Sequence, residues 1–148
     1  MKWITRSHVH VDRVACPWLI TRFIDNQATF IFTALKNING TAKEMGAIRF
    51  DVPGVELGHR EGRCSFESII KEYDLNDTAL LRMAKIIHSA DIAEDIGKDP
   101  LARGLEAIAQ GFSIRFPKDE ENLQNQFPIY DALYAWCKME VIKERNHQ

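Results

Sequence analysis

The first third of the chain alternates short β-like runs with helical ones. "KWITRS" (2–7), "ATFIFT" (28–33) and "AIRFDV" (47–52) are rich in β-branched and aromatic residues, are followed by polar or glycine-containing segments, and predict three strands. Between the first two lies "CPWLITRFID", a helix whose first turn suits Pro17, because a proline there lacks only an N–H that no carbonyl needs. This reading puts Cys16 at the N-cap. Val9 and Val11 would then end a strand, and the chain would turn through Asp12 and Arg13 into the helix. "TAKEMG" (41–46) predicts a short helix stopped by Gly46.

After "DVPGVELGHREGR", a loop with three glycines and a proline, the period becomes helical. Ser65 can cap a helix carrying Phe66, Ile69, Ile70 and Tyr73 at i, i+3, i+4 and i+7. Asp77 or Thr78 can cap another, with Leu80, Met83, Ala84 and Ile87 as its apolar stripe. Two further helices are expected around 101–110 and from about Pro128 to Lys143, separated by the polar "PKDEENLQNQ". Ile129, Leu133 and Trp136 give the last one a core-facing stripe, to which Cys137 belongs. The pattern predicts an α+β fold in which a small N-terminal sheet packs against a mostly helical C-terminal half.

Composition sets the bounds. The 148 residues, 45% apolar, fit a single domain over 1–148 that needs neither a metal nor a disulfide merely to fold. A net charge of -2 with scattered basic residues offers no electrostatic footprint for nucleic acid and no polybasic membrane anchor. No run approaches a membrane span, and the start lacks the apolar segment of a secretion signal. Three cysteines without a CxxC pair fit a reducing compartment, so a cytoplasmic location is expected.

Three constellations carry candidate chemistry. At the predicted helix mouth, free N–H groups and a partial positive charge would attract an anion and activate Cys16, with Asp12 and Arg13 alongside. The same residues read equally as a small buried thiol and a structural ion pair. In "VELGHREGRC", Glu56 and His59 lie three apart, and Gly58 permits the turn that would aim both at one ion. In "MAKIIHSADIAEDI", His88 and Asp91 share a helix face, and Asp91 falls four, seven and eleven residues after Ile87, Ala84 and Leu80, beside the apolar stripe. A carboxylate there must be hydrogen-bonded, protonated or bound to metal. Together Glu56, His59, His88 and Asp91 form a mixed nitrogen and oxygen set suited to a divalent transition metal such as Zn, Mn, Fe or Ni.

Four blocks, "HVDRVACPWLITRFID", "FDVPGVELGHREGRCSFESII", "AKIIHSADI" and "YDALYAWC", run in order from about residue 8 to 137. In sequence and spacing they resemble the chromate-resistance proteins, specifically the C-terminal domain of the ChrB type. The resemblance implies a link to chromate stress in bacteria. Larger members carry an added N-terminal region and are described as chromate-responsive regulators; the DNA-binding role of that region is not carried over to this chain. No reaction comes with the resemblance, so enzyme and non-enzyme readings stay open. One is a metal-dependent domain acting on or sensing a small oxyanion such as chromate, with Asp12, Arg13 and Cys16 on the anion side. Another is a non-enzymatic sensor or interaction module, with a homo-oligomer among the expected partners, and a third is a thiol redox protein using Cys16 and Cys64.

Overall fold

The computed structural model describes residues 1–147. Strands β1 (Lys2–Arg6), β2 (Thr29–Thr33) and β3 (Ile48–Arg49) form one parallel sheet in the order β2-β1-β3. Lys2 pairs with Thr29 and Arg6 with Thr33, while Trp3 and Ile4 pair with Ile48 and Arg49 on the other edge. Period-two alternation splits the sheet residues between two cores. Trp3 faces the large core with Phe30, Phe32, Ile48 and Phe50. Ile4 faces a smaller one with Ile31, Ile38, Ala42 and Val52.

The remaining helices are α1 (Val11–Phe23), α2 (Ile38–Met45), α3 (Ser65–Glu72), α4 (Thr78–Asp91), α5 (Ala102–Arg115) and α6 (Asp119–Asn146). Helix α4 packs against α1, α3, α5 and α6, so its buried stripe of Leu80, Met83, Ala84 and Ile87 forms the middle of the helical half. Asp77 caps it by accepting the Leu80 N–H at 3.0 Å, and Gly46, at φ 65°, ends α2 in the left-handed conformation that glycine adopts without cost. The α+β architecture matches the expectation. No helix among the described residues is long and apolar enough to cross a membrane.

Three boundaries differ from the sequence reading. Helix α1 begins at Val11, not near Pro17, with His10 as N-cap, so Cys16 is an interior residue and Asp12 lies in the first turn. Val11, Val14, Ala15, Trp18 and Leu19 are all buried at helical spacing, and this continuous apolar face holds the helix through Pro17. The proline removes only the bond that the Arg13 carbonyl would otherwise accept. Helix α6 begins at Asp119 and passes through Pro128, because Asp119, Glu120 and Glu121 suit the positive end of a helix and Leu123, Gln126 and Tyr130 are buried beneath it. Strand β3 is shorter than "AIRFDV", although the Phe50 N–H still bonds the Ile4 carbonyl at 3.0 Å.

Helices α1 and α6 are tied by Asp131. It accepts the Trp18 indole N–H at 2.7 Å and pairs with the Arg22 guanidinium through two bonds of 3.0 Å.

Candidate metal centre

The N-terminus of α3 organises the site. Its first N–H groups have no carbonyl within the helix, and Asp12 reaches them from α1: Oδ2 accepts the Ser65 N–H at 2.7 Å and Oδ1 the Phe66 N–H at 3.3 Å. The Ser65 hydroxyl donates to Asp51 Oδ1 at 2.6 Å. Asp91, at the end of α4, accepts the Asp12 N–H through Oδ1 at 3.4 Å. Three carboxylates from distant parts of the chain are thereby brought to one point, Asp12 only 1% exposed and Asp51 6%.

His59 completes the group. Adding a Cβ at Gly58 would bring it to 2.6 Å from the Val52 carbonyl oxygen, so only glycine lets the loop fold this tightly. The turn delivers the His59 ring to the three acids. Its Nε2 lies 2.9 Å from Asp91 Oδ2, 3.5 Å from Asp12 Oδ2 and 3.7 Å from Asp51 Oδ1. Donors bound to one transition metal at about 2.0–2.2 Å stand roughly 3–3.5 Å apart; the His59 distances to Asp91 and Asp12 are close to that range, and one donor atom each of Asp12, His59 and Asp91 falls within 4.8 Å of the other two. A cavity of about 380 Å³ lined by Arg6, Asp51, Val52, Pro53, Gly54 and His59 opens onto the group.

Proton affinities follow from the crowding. Burial, helped by Asp91, pushes the Asp12 carboxyl up to about 8, although the two α3 N–H donors favour its ionised form. Burial likewise raises Asp51, opposed by the Ser65 hydroxyl. The hydrogen bond to Asp12 and the charges of Asp12, Asp91 and Asp51 raise His59 to about 9 against its partial burial. Arg13 Nε lies 3.6 Å from Asp51 Oδ2, and an Arg6 guanidinium nitrogen lies 4.0 Å from the same oxygen. The Arg6 Nε is buried without a hydrogen-bond partner.

The four residues singled out as one ligand set occupy three places. His59 and Asp91 meet. Glu56 is exposed and lines a separate cavity with Ala47, Arg49 and Tyr73. His88 is turned toward α3, where its Nδ1 lies 2.5 Å from Glu67 Oε1 and its Nε2 2.6 Å from Asp95 Oδ2. Burial pulls its proton affinity down, but these two carboxylates hold it above the ordinary histidine value.

The anion-side residues also sit differently. Asp12 belongs to the carboxylate group, and Arg13 is an ion-pair neighbour of Asp51. Cys16 is fully buried, with its Sγ 3.8 Å from Asp12 Oδ1; burial first, and then the Asp12 charge, push the thiol well above its usual value. The expectation of an activated thiolate at a helix mouth is therefore replaced by a protonated interior thiol. Asp51 escaped the sequence reading. Its φ of 49° is a conformation that aspartate tolerates better than most residues, and the "DVPG" turn was its only local signal.

Residues 3–137 match the family described as the ChrB C-terminal domain. Over 137 residues the chain is 38% identical to Protein ChrB of Cupriavidus metallidurans, a match covering 90% of this chain. The chain therefore belongs to the ChrB C-terminal domain family, as its sequence blocks imply, and membership supports a role related to chromate resistance. It spans 40% of the length of that relative. No solved structure matches the chain.

Proposed function

We propose that this domain is a metal-dependent element of the cell's response to chromate, with a divalent transition metal held by Asp12, His59 and Asp91 and with Asp51 as a fourth donor or a support. The observation carrying this reading is the convergence of three carboxylates on one imidazole nitrogen, two of them, Asp12 and Asp51, buried. Mixed carboxylate and imidazole donors suit Mn, Fe, Zn or Ni. A bound ion supplies a Lewis-acidic point able to stabilise an anionic oxygen.

The chain's own residues do the rest. The α3 N–H groups fix the Asp12 carboxylate, and the Ser65 hydroxyl fixes Asp51. A small divalent oxyanion such as chromate would enter by the Arg6 and His59 cavity, where the buried Arg6 Nε has a donor to spare and Arg13 stands behind Asp51. All three cysteines are free and buried, which favours the metal reading over a thiol redox protein and accords with a cytoplasmic location.

The test is elemental analysis of protein purified without chelator, followed by competition for the metal with a chromogenic chelator. H59A and D91A should each weaken binding by more than the roughly 10–100-fold that an outer-shell residue costs, and E56A should leave it unchanged. Full metal occupancy in both H59A and D91A would remove the reading. Calorimetric titration of the loaded protein with chromate and with sulfate tests the anion: R6A and R13K should weaken binding, and unchanged affinity in both would place the anion elsewhere.

A further inference from the structure

A second group of metal-binding side chains lies on the other flank of the α3 N-terminus. Cys64 immediately precedes α3, Glu67 sits in its first turn, and His88 lies near the end of α4. One donor atom from each, a thiol sulfur, a carboxylate oxygen and a ring nitrogen, falls within 4.8 Å of the other two. We propose that Cys64, Glu67 and His88 form a second metal centre, selective for thiophilic divalent ions of the zinc type, in which Asp95 orients His88.

The ring of His88 is placed for this role. Its Nε2 contacts Asp95 Oδ2 at 2.6 Å, and Asp95 is itself held by Lys98 at 2.8 Å, so the Nδ1 edge faces Glu67. A carboxylate on the far nitrogen of a ligating histidine fixes the tautomer and raises the basicity of the donor nitrogen. Glu67 Oε1 accepts the Cys64 N–H at 3.0 Å, which ties the carboxylate to the backbone of the thiol residue. A cavity of about 270 Å³ lined by Glu67, Lys85, His88, Ser89, Lys98 and Asp99 gives an ion access to two of the three ligands. The third, Cys64, is fully buried.

Sulfur separates this centre from the first. Thiolate with imidazole and carboxylate is a donor set that favours zinc over magnesium or calcium, whereas Asp12, Asp51, His59 and Asp91 offer only oxygen and nitrogen. On binding, the sulfur exchanges its proton for the metal and that proton passes to solvent. Without metal, His88 bridges Glu67 and Asp95 and holds α3 to α4. The second centre stands independently of the first: it shares none of its ligands.

Cobalt(II) titration of the full chain under reducing, oxygen-free conditions tests it, because thiolate bound to cobalt gives a near-ultraviolet charge-transfer band that oxygen and nitrogen ligands do not. The band is expected in the wild-type protein and in C16S and H59A, and is expected to vanish in C64S, whose serine can still cap α3. H88Q reads the same band where C64S fails to fold, and loses it. D95N should keep the band but require about 10–100-fold more cobalt. Cobalt uptake without the band in the wild type, or loss of the band in C16S with retention in C64S, would overturn the second centre. Neither result bears on the first, whose uptake is read without the band.

Discussion

Metal binding at the proposed Asp12, His59 and Asp91 centre should carry a pH dependence, because the ligands reach an ion only after losing protons. Asp12 is held at about 8 and His59 at about 9. Near neutral pH the metal-free pair therefore retains at least one proton, shared between an acid and the imidazole that it charges, and the titration steps belong to the interacting pair. Each proton displaced makes the apparent affinity rise about tenfold per pH unit. With at least one displaced, affinity should increase about tenfold or more between pH 6.5 and 7.5. The dependence should flatten above about pH 9, where the pair has lost its protons without metal. Competition with a chromogenic chelator across a pH series gives the slope. Calorimetry in buffers of different ionisation enthalpy counts the protons independently. Release of fewer than one proton per ion near pH 7 would refute the reasoning, since it would mean that the carboxylates and imidazole already stand deprotonated.

The same groups set the stability of the metal-free protein. Folded Asp12 and His59 keep their protons to higher pH than the unfolded chain, which loses them near 3.8 and 6.5, so their contribution is lost as pH rises through about 8 and 9. The melting temperature in chelator should fall from pH 6.5 to 9, and added metal should abolish the fall; a rise without metal would contradict the assignment. In acid the trend reverses, because Asp25 and Asp131, held low by their hydrogen bonds, lose their contribution on protonation. Alkylation of the three cysteines should be slow and should track unfolding, because all are buried; rapid labelling of Cys16 in the native protein would restore it as a reactive thiol. D131A leaves the buried Trp18 indole N–H without its acceptor, for an expected loss of about 1–3 kcal/mol in denaturant unfolding, and an unchanged midpoint would show that water replaces it.

Local signals in the sequence were reliable where the cause is local. The strand patterns of β1 and β2, the Gly46 stop and the Asp77 cap each depend on neighbours within a few residues, and each is present. The start of α1 lies six residues before Pro17 because the buried spacing of Val11, Val14, Ala15 and Trp18 outweighs the local preference of proline for a first turn. His59 and Asp91 stood out for sound reasons, a glycine-flexed loop and a carboxylate beside an apolar stripe. Grouping them with Glu56 and His88 required knowing which way a loop turns and which way a ring rotates, and spacing carries neither. Asp12 capping α3 across 53 residues has no signature along the chain at all.

The centre draws its ligands from the start of the first helix, a loop in the middle and the end of the fourth helix, with Asp12 and Asp91 separated by 79 residues. On a ribosome, no partial chain ending before Asp91 can gather them. The bond from the Asp12 N–H to Asp91 acts as a completion check. A chain that stops before Asp91 would leave the proposed centre incomplete, so metal retention at it in a cell extract would report the fraction of chains that have closed their long-range contacts rather than the fraction that is helical.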